Sequence, residues 1–260
     1  MAQQQAQSRA PACGADEIAR ATVSRVIDGR TFTLADGREV RLAAIEVPPL
    51  PLPLPQEPGA APGGTATKAA LDALAGGDEV VLRRAQAATD RYGRLVAYAY
   101  TERDGDELFV QGELIAAGFA RVGDQVAGRA CAAELLAAEN AARKDKLGLW
   151  ANPYYEVLNA GAAADVLAHK GQFALVEGNV VSVRESGATI YVNFGQRWSE
   201  DFAVTVRKRN ERSFAAAGLD LKTLAERRVI VRGFIEARGA RSSPSIEATR
   251  PEQIELADRN

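Results

Sequence analysis

Val26-Ile27-Asp28-Gly29-Arg30-Thr31-Phe32-Thr33-Leu34 is the stretch whose reading decides the fold. An Asp-Gly pair between two short runs rich in β-branched and aromatic residues is a strong hairpin signal, because glycine accepts the positive φ of tight turns. Residues 21–27 read as the first strand and Thr31 to Leu34 as the second. Asp36-Gly37 repeats the turn, and Glu39 to Ile45 reads as a third strand. Two tight hairpins in succession make an antiparallel meander.

Working outward, residues 1–20 are small and polar and read as an N-terminal arm. Residues 47–64 hold most of the 11 prolines and can only be an extended, polyproline-like loop. Thr65 to Leu74 reads as a helix that stops at Gly76-Gly77. Glu79 to Arg84 and Arg94 to Tyr100 read as strands, Leu108 to Ala116 and Ala130 to Lys146 as helices. Residues 151–169 change character and read as a linker. The β pattern then returns: Phe173 to Val183, Thr189 to Phe194, Phe202 to Val206, a helical stretch from Arg209 to Leu224, then Val229 to Ala237, Ser245 to Ala248 and Ile254 to Leu256. Three strands, a helix and two strands is the element order of an OB-type barrel, and both halves show it. The expected class is mainly β with α, two OB-type five-stranded barrels in tandem, over residues 21–150 and 170–260.

Composition narrows the functions. With 47% apolar and 25% charged residues the chain has ample material for a core. No apolar run reaches the roughly 18 residues of a spanning helix. One histidine, His169, and two cysteines exclude a zinc site built from several His and Cys ligands. A net charge of −2 gives no global attraction to polyanions, so any such site is local. Cys13 and Cys131 suit one disulfide closing a long loop, the alternative being two unrelated buried thiols. With no signal peptide visible at the start, either absent or already removed, a disulfide implies a periplasmic or secreted location.

In the second half, Arg207, Lys208 and Arg209 cluster after a strand. Arg232 is near in sequence, and Tyr191, Phe194, Trp198 and Phe202 lie on the same expected barrel. Cations interleaved with aromatics suit single-stranded nucleic acid, although aromatics alternating along strands more often belong to a core.

Four stretches carry a family resemblance. They are residues 26–34 quoted above; Val40-Arg41-Leu42-Ala43-Ala44-Ile45-Glu46-Val47-Pro48; Asp90-Arg91-Tyr92-Gly93-Arg94-Leu95-Val96-Ala97-Tyr98; and the run from Leu114 to Val122 with Glu139-Asn140-Ala141-Ala142-Arg143 and Leu147-Gly148-Leu149-Trp150. In order and spacing, residues 23–150 resemble the thermonuclease, or staphylococcal-nuclease-like, family. Residues 170–260 look like the OB-type tail of some bacterial members. The resemblance implies a first barrel of staphylococcal-nuclease type and calcium-dependent cleavage of DNA or RNA. It also implies that Arg41 and Arg94 hold the phosphate, a task suited to a planar fork that stays charged.

The acidic half departs from that pattern. Arg30 stands where the family has a metal-binding aspartate, and Glu46-Val47-Pro48-Pro49 stands where it has Asp-Thr-Pro-Glu. Asp28 and Glu46 are the only matched carboxylates, against the six to eight oxygens calcium takes. Proline at position 49 has no group to activate water.

The expected function is therefore binding of nucleic acid or another phosphate ligand through Arg41 and Arg94. Arg30 and Tyr92 are further contacts, and hydrolysis is weak or lost. One alternative is an active phosphodiesterase with a rearranged acid set, in which Glu57 from the proline-rich loop is the base and calcium the cofactor. Another is an envelope interaction module that captures a protein partner through residues 47–64. No reading calls for an organic cofactor.

Overall fold

The computed structural model describes residues 13–51, 61–126, 128–239 and 242–257. The chain divides into two compact units, Met1–Val122 with Val126–Leu147, and Gly123–Gln125 with Gly148–Asn260.

The first unit contains β1 (Glu17–Asp28), β2 (Thr31–Leu34), β3 (Glu39–Leu42), β4 (Ile45–Glu46), α1 (Gly64–Ala75), β5 (Glu79–Thr89), β6 (Leu95–Arg103), β7 (Asp106–Phe109), α2 (Val110–Ala116), β8 (Arg121–Val122) and α3 (Arg129–Lys144). The meander is as the sequence indicates, with Val26 opposite Phe32 and Phe32 opposite Val40. β1 continues antiparallel onto β5, and β5 onto β6. β6 then runs parallel beside β3, with Arg41 opposite Val96, and this last pairing closes a five-strand barrel. β7 extends the sheet from β6.

Among the boundaries that differ from the sequence reading, three change an element's partner or type or extend its pairing, and β5 and β6 also run on to Thr89 and Arg103. β1 starts at Glu17, because Glu17 and Ala19 continue its pairing with β5. The expected third strand breaks after Leu42: Ala44 takes a left-handed φ of 64°, and the chain resumes as β4 on a different partner, β8. Leu108 and Phe109, read as the start of a helix, belong to strand β7.

Alternate strand residues fill the barrel. Phe32, Leu34, Val40, Leu42, Val80 and Leu82 meet Leu71, Leu114 and Leu135 from the three helices, all at most 2% exposed. Each such side chain is worth about 1.5–3 kcal/mol of burial. The Cys13–Cys131 disulfide joins the start of the chain to α3, and both cysteines are buried. The Tyr100 hydroxyl donates to Cys13 O at 2.5 Å, Phe109 stacks on the Tyr100 ring, and burial pushes the phenol's pKa up.

The second unit contains β9 (Leu158–Asn159), α4 (Ala163–Ala168), β10 (Phe173–Asn179), β11 (Ser182–Ser186), β12 (Thr189–Asn193), β13 (Ala203–Arg207), α5 (Glu211–Ala216), β14 (Arg228–Phe234), β15 (Glu236–Arg238), β16 (Ser243–Glu247) and β17 (Ile254–Leu256). The strands form two sheets, ordered β17-β14-β10-β9 and β11-β12-β13-β16-β15. The second barrel expected here is not shown: Phe173 to Val183, read as one strand, divides into β10 and β11, Val229 to Ala237 divides into β14 and β15, and closure by hydrogen bonding is not seen among the described residues.

Several side chains lie elsewhere than the sequence suggested. Phe194 and Phe202 are core, at 7% and 0% exposed. Arg232, grouped with the basic cluster, is fully buried and paired with Glu255.

Candidate functional site

The site is built on the β1–β2 turn, the β3–β4 segment and the β5–β6 turn of the first unit. Gly29 fixes the first. A Cβ there would stand 2.5 Å from Thr67 Cγ2, so only glycine lets the Asp28-Gly29 turn rest on α1. Thr67 is held in turn, its hydroxyl donating to Phe119 O at 2.9 Å and Gly63 O at 3.1 Å. Asp28 closes the turn by accepting the Arg30 backbone N–H at 2.8 Å. Leu42 N donates to Arg30 O at 2.8 Å, which places Arg30 beside Arg41 on the neighbouring strand.

The β3–β6 pairing is locked from behind by Gln111 of α2, which is fully buried. Its Oε1 accepts from Ala99 N and its Nε2 donates to Ala97 O, both at 3.0 Å, and to Ala43 O at 3.5 Å. An amide satisfied on both ends in this way fixes the register of the strands that carry the site.

The third element is the Asp90-Arg91-Tyr92-Gly93-Arg94 turn. Asp90 accepts from the backbone N–H of Tyr92 and Arg94 at 2.9 and 3.1 Å. Its other oxygen takes the Arg94 guanidinium, Nε at 2.8 Å and Nη2 at 2.7 Å. Burial works to raise the Asp90 pKa, but these hydrogen bonds outweigh it and hold the carboxyl below its ordinary value. Tyr92 stands out at 66% exposed, with the Arg91 and Arg94 guanidinium carbons 4.7 and 5.1 Å from its ring centroid.

The three arginines are not equivalent. Arg30 donates to Ile45 O at 3.4 Å and forms an ion pair with Glu46, both partners mostly buried. Arg94 belongs to Asp90. Arg41 is half-buried and has no hydrogen bond or ion pair to its side chain among the described residues. Burial lowers its pKa and the Arg30 charge adds to this; Glu46 opposes, Arg94 lowers it further, and Asp28 opposes. Those four charges therefore act together on Arg41.

The acidic side does not fit calcium. One Asp28 oxygen is taken by a backbone N–H, and Glu46 is taken by Arg30. Among the described residues no group of three or more His, Cys, Asp and Glu could hold a metal ion. The ion pair between positions 30 and 46 takes one of the two carboxylates that the resemblance assigned to a metal. Pro49 is exposed and presents no acid. Glu57 and the middle of the proline-rich loop lie outside the described residues.

Sequence reading missed Asp90. Its signal was the four-residue spacing to Arg94 across a turn. It also passed over Arg121 of β8, which stands opposite Glu46 and is buried. In the second unit Arg207 is paired with Glu247 at 3.0 Å and Lys208 with Glu185 at 2.7 Å, while Arg209 is exposed. The cluster is thus largely compensated within its own sheet.

A closed five-strand barrel with helices packed on it fits an OB-type fold of the staphylococcal-nuclease kind. Residues 39–152 match the family described as staphylococcal nuclease homologue. No curated protein matches the chain.

Proposed function

We propose that the first unit binds the phosphate backbone of nucleic acid without calcium, through Arg41 with Arg30 and Arg94 beside it, and that family-type hydrolysis is lost. The observation that carries this is Arg41, a half-buried guanidinium with no carboxylate of its own. A charge withdrawn from water is costly unless paired, and an incoming phosphate oxygen supplies the missing partner. Arg30 and Arg94 cannot: they add positive potential and are themselves held by Glu46 and Asp90. Tyr92, exposed beside Arg94, offers a ring against which a base can stack. Activating water needs a general base or a metal, and binding without hydrolysis is supported by Pro49 presenting no acid and by Glu46 being held by Arg30.

The disulfide and the absence of any helix long and apolar enough to cross a membrane among the described residues are compatible with a secreted protein. The disulfide supports action in an oxidising compartment.

The test is binding and cleavage of labelled single-stranded DNA and RNA in chelator and in calcium. Expected are binding in chelator, weakened at least about ten-fold by Arg41→Ala, and intact substrate in both buffers. Calcium-dependent cleavage that Arg41→Ala abolishes would instead establish the working-nuclease alternative.

A further inference from the structure

The five-stranded sheet of the second unit has two unlike faces. Ile190, Val192, Val204, Val206 and Ile246 pack inward. By the two-residue period of a strand, the intervening residues face the other way. Strand pairing aligns them: Arg184 opposite Tyr191, Ser182 opposite Asn193, and Arg238 opposite Ser243. Over this outer face lies a cavity of about 670 Å³, lined among others by Arg184, Tyr191, Asn193, Trp198, Arg238 and Ser243. That volume falls in the range of small-ligand sites.

The lining combines planar rings with uncompensated cations. Arg238 lies over the Tyr191 ring, its guanidinium carbon 5.1 Å from the centroid, and donates to Trp198 O at 3.1 Å. Neither Arg184 nor Arg238 has a carboxylate partner among the described residues. Glu185, also in the lining, is held by Lys208 at 2.7 Å and Lys222 at 3.2 Å, so its charge is already spoken for.

Trp198 is 69% exposed, yet its loop is fixed. Asp201 accepts from Arg197 N at 2.8 Å and from its guanidinium at 3.2 Å, while the N–H groups of Glu200 and Asp201 both reach Arg197 O at 2.8 Å. The loop closes only because residue 195 is glycine: a Cβ there would stand 2.1 Å from Asp201 Oδ2. An indole held out in water on a closed loop carries little ordering cost when a ligand covers it.

We infer that this face is a second binding site, taking single-stranded nucleic acid by stacking a base on Trp198 and placing backbone phosphate on Arg184 and Arg238. An acidic peptide would satisfy the arginines but leave the indole uncovered, and the exposed ring is what favours a nucleobase. The site stands on residues of the second unit alone and does not depend on Arg41.

The chain has two tryptophans, and Trp150 is only 8% exposed, so emission changes report mainly on Trp198. The experiment uses the full chain carrying Arg41→Ala and Arg94→Ala, titrated with oligothymidylate. Expected are quenching of tryptophan emission and, by anisotropy of the labelled oligonucleotide, affinity reduced about ten-fold by Trp198→Ala and again by Arg184→Ala. Both side chains are exposed, so neither variant threatens the fold. Unchanged emission at saturating oligonucleotide overturns the proposal. So does displacement by polyglutamate as effective as by unlabelled oligonucleotide, since that would mean charge alone.

Discussion

At position 30 a single side chain sets the charge around Arg41 and Glu46. Arginine there consumes Glu46 and adds positive charge beside Arg41. In the proposed function it turns a place that the family resemblance assigns to a cation into one that takes an anion. The converse substitution is informative. Arg30→Asp frees Glu46 and places a third carboxylate beside Glu46 and Asp28. Calcium at millimolar concentration is expected to raise the melting temperature of Arg30→Asp and leave the parent unchanged, since a ligand that binds only the folded state stabilises it. A calcium effect of equal size in both proteins would mean that positions 30 and 46 do not govern metal binding. Arg30 was legible as a departure from pattern. Its partner was not, because residues 30 and 46 meet only once the chain breaks at Ala44 and β4 turns toward β8.

The turns between strands are the elements that aim the side chains. The Asp90 turn orders itself through one carboxylate that binds two backbone N–H groups and a guanidinium. Because the folded-state pKa of Asp90 lies below the unfolded value, its stabilisation is complete above the usual carboxylate range, near about 4. It is lost as pH falls through the lowered value. Asp90→Asn removes that contribution. The variant is therefore expected to melt below the parent at about pH 6, with the gap narrowing toward about pH 3, as followed by circular dichroism. A gap independent of pH would assign the turn's stability to its backbone alone.

Hairpins of this kind were readable, since Asp-Gly names the turn and the flanking runs name the strands. The left-handed Ala44 was not, because alanine carries no preference for that conformation. Nor was β7 readable: Leu108-Phe109 is apolar enough to begin a helix, and only pairing with β6 decides for a strand. In the second unit the aromatics were visible, but sorting them required the strand phase. Tyr191 lies on the parity opposite Ile190 and Val192, while Phe194 and Phe202 are drawn into the core.

On the scale of the whole molecule, the first unit is ringed twice, once by the β3–β6 pairing and once by the covalent link between Cys13 and Cys131, 118 residues apart. A cross-link of that span restricts the unfolded chain strongly and contributes about 2–5 kcal/mol. Reduction, or Cys131→Ser, is therefore expected to lower the melting temperature of the first unit by several degrees and to leave the second unit's transition in place. Calorimetry resolves the two. A single transition that moves as a whole would show that the units unfold together.

The same link has a consequence for wear. A peptide bond cut anywhere between the two cysteines severs the backbone but releases no fragment, because both pieces remain tied through sulfur. The strands on either side of the cut stay paired within one barrel, and the damaged molecule keeps its mass until it meets a reductant. In surroundings where other proteins are digested, the domain can thus outlast the first break in its own chain.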